Sequence, residues 1–220
     1  MDPAYLAEIT EYIAMGMGVT LKVFGVTLLF SIPLGILCAL GKLSSFRIIH
    51  AVLGVYTWIF RGTPLLLQLF FTYYGLPIIT GGAIQLGPEV AAYITFVFNY
   101  GAYFTEIFRA GIQSIGRGQY EASKALGMSP WETMRRIILP QAVKVILPPL
   151  GNESINLIKD TALCSVIAVT EILKNAKRIM SRDFDITALV IAALIYLALT
   201  FIVIQVFRHL EKRYSYYSIK

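Results

Sequence analysis

Charge is what this chain has little of. Only 15% of its 220 residues are Asp, Glu, Lys or Arg, against 57% apolar or aromatic, and mean hydropathy is +0.68. A soluble domain carries about 25% charged residues, so a disordered chain and an ordinary cytosolic enzyme are both excluded. Cysteine is scarce as well. Cys38 and Cys164 sit in apolar surroundings and offer neither a disulfide framework nor a metal-ligand spacing. The two histidines, His50 and His209, stand isolated at the edges of apolar runs. A phosphate-cradling G-x-x-x-x-G-K-[ST] loop is also missing. The nearest approach runs from Gly35 to Gly41 and Lys42, with five residues between the glycines and Leu43 after the lysine. Residues 1–12 hold Asp2, Glu8 and Glu11 with no Lys or Arg, so the basic start of a cleaved signal peptide is not seen.

Long uncharged runs are what is present. Crossing the hydrocarbon core takes ~20 apolar residues, and five segments qualify: roughly 18–41, 52–77, 87–109, 141–168 and 186–208. The expectation is an all-α membrane protein with five transmembrane helices. The net charge of +6 then reflects basic loops on the inner side of a membrane rather than nucleic-acid binding. With the N-terminus outside, Lys42, Arg47, Arg109, Arg117, Lys124, Arg135, Arg136, Lys144, Arg208, Lys212, Arg213 and Lys220 fall inside. Lys159, Lys174, Lys177, Arg178 and Arg182 fall outside. Twelve against five favours N-out and C-in. No 20–50-residue repeat is visible, and five spans cannot form two equal inverted halves. Five helices are few to enclose a solute path, which implies a second membrane subunit.

Residues 116–140 form a polar, basic connection with clear helix punctuation. Gln119 to Leu126 reads as a short helix, with Gly127 at the position that favours a left-handed backbone. Ser129, Pro130 and Glu132 then read as N-cap, N1 and N3 of a second helix, a capping box, and Pro140 punctuates the run before the fourth span. Here a specific resemblance emerges. Glu121-Ala122-Ser123, Gly127 and Ile137-Ile138-Leu139-Pro140 resemble the EAA loop of bacterial ABC importer permeases: E-A-A, three residues, G, nine residues, I-x-L-P. Ser123 in place of the second alanine is the sole departure. Arg61-Gly62-Thr63-Pro64-Leu65 resembles a segment of the polar-amino-acid subfamily. So does Asn99-Tyr100-Gly101-Ala102-Tyr103 with Glu106.

The resemblance implies a single permease domain over residues 1–220, of the type I importer fold, with 116–140 as a cytoplasmic coupling loop. It implies that Glu121, Ala122, Ser123, Gly127, Leu139 and Pro140 engage a cytoplasmic ABC ATPase dimer. ATP and magnesium would be held by that partner, and no cofactor by this chain. The other implied partners are a second permease subunit, identical or related, an external solute-binding protein, an amino acid and membrane lipid. The implied location is the bacterial inner membrane. A stand-alone channel or an ion-coupled transporter is the competing reading, and it requires transport without an ATPase.

Polar residues at membrane depth point to the solute. Pro148, Pro149 and Gly151 are expected to break the fourth span near its middle. Beyond the break, Glu153, Asn156 and Asp160 recur at i, i+3 and i+7 on one face. An ionised carboxylate among lipid tails costs at least ~2.5 kcal/mol on insertion scales, which drives Glu153 toward a protein cavity. The third span offers Asn99, Tyr103 and Glu106 at i, i+4 and i+7. One reading is an amino-acid site, with Glu153 holding the side-chain cation of a basic substrate and Asn99, Tyr100, Tyr103 and Asn156 around it. The other is structural: Glu153 paired with Lys159 or with a neighbouring helix, and Glu106 with Arg109. Arg61 is read as structural, lying at a bend before Pro64, with residues 46–60 along the interface and a crossing that begins near Thr63.

Overall fold

The computed structural model describes residues 3–214; Met1, Asp2 and Lys220 of the charge reading lie outside them. The chain is all-helical over the described residues. α1 (Pro3–Ala14) leads through a short turn into α2 (Met17–Leu43), which stays helical through Pro33. α3 (Arg47–Gly62) and α4 (Leu65–Phe70) follow; α4 continues through a π turn (Phe71–Gly75) into α5 (Leu76–Ile79). α6 (Pro88–Gln113), α7 (Arg117–Ala125) and α8 (Pro130–Thr133) come next. A second π turn (Met134–Ile138) joins α8 to α9 (Leu139–Asp160), which runs into a 3-10 segment (Thr161–Ile167). α10 (Ile172–Asp183) and α11 (Thr187–Tyr214) complete the fold.

α6 is the central helix, packed against α2, α3, α4 and α9. α2 meets it along a face of small and slender residues, with Thr27, Ser31, Gly35, Cys38 and Ala39 buried. Small residues let helix backbones approach closely inside a membrane, and Gly35 carries this to its limit. A Cβ there would lie 2.7 Å from Phe104 Cβ and 3.1 Å from the α6 backbone. Gly35→Val is therefore expected to destabilise the protein by about 2 kcal/mol, as overpacking does. Gly25→Ala, in the same helix with nothing within 4 Å of its Cβ, is expected to be neutral or mildly stabilising. Thermal melts of the two purified variants check the contrast. A second core joins Ile9 and Ile13 of α1 to Ile172, Ala176 and Ile179 of α10 and Ala188, Ala192 and Leu199 of α11.

Two expectations about proline need correction. The fourth span does not break: α9 is continuous through Pro148 and Pro149. Proline's fixed φ already suits a helix, and the two rings remove only their own two ladder bonds, leaving the remaining turns to hold the axis. Nor does Pro140 end the preceding run. The Leu139 N–H bonds back to the Met134 carbonyl, five residues away, and this widened turn gives the following proline ring room against the previous turn. The same device recurs at Phe71–Gly75, where the Leu76 N–H reaches the Phe71 carbonyl just before Pro77. As a result, the second helix of the 116–140 segment merges with α9.

Among the described residues, two helical stretches are long and apolar enough to cross a membrane unaided, Pro3–Leu43 and Thr187–Tyr214, or three if α3 and the α4–α5 limb count as one bent element. The 52–77 run is not a straight span. It turns by 104° between α3 and the α4–α5 limb, at Thr63 and Pro64, where Thr63 is extended and the residue before a proline is pushed out of the helical region.

Candidate functional site

The bend at 62–64 opens a cavity of about 640 Å³ against α6 and α9. Its walls are Arg61, Gly62, Thr63, Pro64, Leu65 and Leu66 from the bend, Asn99, Tyr100 and Tyr103 from α6, and Glu153, Asn156, Asp160 and Leu163 from α9 and its extension. All five residues singled out as substrate contacts from the sequence, Asn99, Tyr100, Tyr103, Glu153 and Asn156, thus meet around one space. Helical periodicity explains the convergence. Residues 153, 156 and 160 share one face of α9, and 99 and 103 share one face of α6.

Each wall is braced from behind. Asn99 is buried, and its amide donates to the Phe60 carbonyl and to Gln68 Oε1, both at 3.0 Å. Gln68 in turn donates to the Phe60 and Thr63 carbonyls at 3.0 and 3.1 Å. These bonds satisfy backbone groups that the bend releases, and they lock its angle to α6. Asn99 is therefore as much a support of the site as a wall of it. Tyr100, also buried, donates its hydroxyl to Asp160 Oδ2 at 2.7 Å, clamping α6 to α9. The Arg61 guanidinium lies over the Tyr103 ring, its carbon 5.4 Å from the centroid, which is cation–π distance.

Glu106 departs from this group. It does not line the cavity; it accepts from Lys42 of α2 and from Arg109, the latter at 2.9 and 2.7 Å. Lys42 also donates to Thr57 Oγ1 of α3 at 2.9 Å. One carboxylate, 15% exposed, thus ties α2, α3 and α6 together. The structural reading holds for Glu106 and Arg109 but not for Glu153 and Lys159, since among the described residues no ion pair involves Glu153. Glu106→Gln leaves two cations against a neutral amide and is expected to cost about 3 kcal/mol. A thermal melt reads that loss, while the preference among bound solutes should stay unchanged.

The 116–140 segment folds as a compact knob. At the end of α7 the Gly127 N–H reaches the Lys124 carbonyl at 3.0 Å, and the Met128 N–H reaches the Ser123 carbonyl at 3.1 Å. These are the paired bonds of a Schellman motif. Gly127 takes the left-handed φ of +74° that this motif requires. The capping box forms: Ser129 N donates to Glu132 Oε2 at 3.1 Å, and Glu132 N donates to Ser129 Oγ at 3.3 Å. These bonds hold the Glu132 carboxyl below its usual range. Ser123 is buried and donates to the Gln119 carbonyl at 2.7 Å. Glu121 and Ala122 face outward, Leu139 is partly exposed and Pro140 is half-buried. No ion pair between Glu121 and Lys124 forms among the described residues. The sequence reading passed over Leu126 and Trp131, which are 80% and 70% exposed on the knob. A tryptophan inside a polar, capped segment was the available signal.

Comparisons with known proteins agree with this geometry. The family model described as "binding-protein-dependent transport system inner membrane component" matches residues 31–216. The L-cystine transport system permease protein TcyB of Bacillus subtilis (strain 168) is 39% identical over 207 residues, 93% of this chain and 87% of the relative. The arginine transport system permease protein ArtQ of the same organism is 37% identical over 203 residues, 92% of each chain. Among solved structures, the crystal structure of an amino acid ABC transporter with histidines superposes with a TM-score of 0.88 at 34% identity. That match covers 97% of this chain and 99% of the other.

Proposed function

We propose, from the premise that this chain belongs to the binding-protein-dependent transport inner-membrane component family, that it carries basic amino acids inward through the cavity between the bend, α6 and α9. It is the membrane-spanning subunit of an ATP-driven amino-acid importer, located in the inner membrane, and it is not the enzyme of the pair. The family implies an ATPase partner, a second permease and a solute-binding protein. ATP and magnesium belong to the ATPase in this reading.

One observation carries the substrate class: Glu153 and Asp160 face a single cavity with no cation of the chain within ion-pairing distance among the described residues. Two carboxylates in such a place are retained where a cation comes to them. A relative named for arginine and others named for glutamine make a basic amino acid against neutral glutamine the right comparison. The complete importer in sealed vesicles is expected to take up labelled arginine, with unlabelled lysine or histidine competing at least about tenfold better than glutamine. That factor is what one charge-assisted contact supplies. Equal competition by glutamine would overturn the basic-substrate reading.

Five crossings complete the proposal: α2, the α4–α5 limb, α6, α9 and α11, with the N-terminus outside and the whole chain as one permease domain. At about 1.5 Å per residue, α6 and α9 reach roughly 39 and 33 Å, enough to cross. Their polar residues lower their hydropathy because they line the solute path. The 116–140 knob then lies in the cytoplasm and docks on the ATPase, with Glu121, Ala122, Ser123, Gly127, Leu139 and Pro140 at or beneath the contact and Trp131 and Leu126 as added anchors.

A further inference from the structure

Arg61 faces the same cavity as Glu153 and Asp160, yet among the described residues it forms no ion pair with either. Asp160 accepts from the Tyr100 hydroxyl, and the guanidinium is stacked on Tyr103. Arg61 also borders an adjoining cleft with Thr57, Trp58, Gly62 and Glu106. Glu106, the carboxylate of that cleft, is already occupied by Lys42 and Arg109. Two features follow for Arg61. Its flat face is held by an aromatic ring, which fixes its direction. Its edge keeps a fork of N–H donors suited to a carboxylate.

We propose that Arg61 binds the α-carboxylate of the transported amino acid and thereby determines that the substrate is an amino acid rather than an amine. The charges match as mirror images. The cavity offers two anions and one cation, and a basic amino acid brings two cations and one anion. The inference rests on the reading of the cavity as a basic amino-acid site. It reverses the structural role that the sequence suggested for this arginine. Arg61 is a specificity-determining residue here, with Tyr103 as the residue that positions it.

The test uses the complete importer in nanodiscs and two probes, arginine and agmatine, which is arginine without its carboxylate. Wild type is expected to bind arginine at least about tenfold more tightly than agmatine, the usual yield of a bidentate charged contact. Arg61→Gln is expected to bring arginine down to the agmatine level and leave agmatine unchanged. Arg61→Lys, which keeps the charge but loses the fork, is expected to restore part of the difference. A merely structural role moves both probes together, so equal losses for arginine and agmatine in either variant overturn the assignment. Equal binding of the two probes by wild type also overturns it. Binding of neither probe by wild type refutes the basic-substrate reading itself, and the carboxylate assignment falls with it. Should Arg61→Gln fail to assemble, the wild-type ratio and Arg61→Lys still decide the question.

Discussion

Glu153→Gln is expected to lower ATP-driven arginine uptake by at least about thirtyfold while leaving assembly and membrane insertion intact. The substitution keeps the shape of the side chain and removes only its charge. No cation of the chain is lost as a partner, because among the described residues none pairs with Glu153. The fold therefore has little to lose. The substrate loses a charge-assisted contact in a partly desolvated cavity, worth roughly 2 kcal/mol, or about thirtyfold. Selectivity should collapse with the rate, so that glutamine competes with arginine nearly on equal terms. Uptake by Glu153→Gln with the wild-type preference for cationic amino acids would remove Glu153 from the site. Glu106→Gln is the matched control, since the same chemical change seven residues along α6 from Asn99 falls on an internal brace and should act on stability instead.

The second large effect is expected at the knob. Gly127→Asp should insert normally yet lose at least about tenfold of both transport and transport-coupled ATP hydrolysis. Inside the chain a Cβ at Gly127 meets nothing within 4 Å, so no steric clash unfolds the segment. The costs lie elsewhere. Aspartate tolerates the left-handed backbone better than most residues, but the φ of +74° still works against it. A new charge also enters a surface where Ala122, Leu126 and Trp131 stand exposed, the face proposed to dock on the ATPase. Losing one well-packed contact there costs on the order of 1.4 kcal/mol, a factor of about ten. Measuring uptake and ATPase rate at matched membrane levels checks this, and wild-type rates for both would refute the docking role.

Much of this was legible in the residues, for identifiable physical reasons. Caps are local chemistry, so Ser129, Glu132 and Gly127 announced their geometry without help from the rest of the chain. The faces of α6 and α9 were legible because helical periodicity places 99 with 103 and 153 with 156 and 160 whatever lies between. Proline was misread because its effect depends on surroundings. Pro148 and Pro149 were tolerated inside α9, and Pro140 was absorbed by a π turn, neither of which a breaker rule anticipates. The close approach at Gly35 and the α1 core with α10 and α11 were invisible, being long-range packing. Arg61 was less legible: which wall it joins depends on the 104° bend beside it, and Glu106, which shares a cleft with it, is already held by Lys42 and Arg109.

The central claim is that this chain moves amino acids only when a separate motor acts on residues 116–140. It is tested most directly by measuring arginine accumulation in sealed proteoliposomes, with and without the ATPase subunit, at equal amounts of this chain. Accumulation against a gradient only when both the ATPase and ATP are present is the expected result. Equal accumulation by this chain alone, with no ATPase in the vesicle, would contradict it.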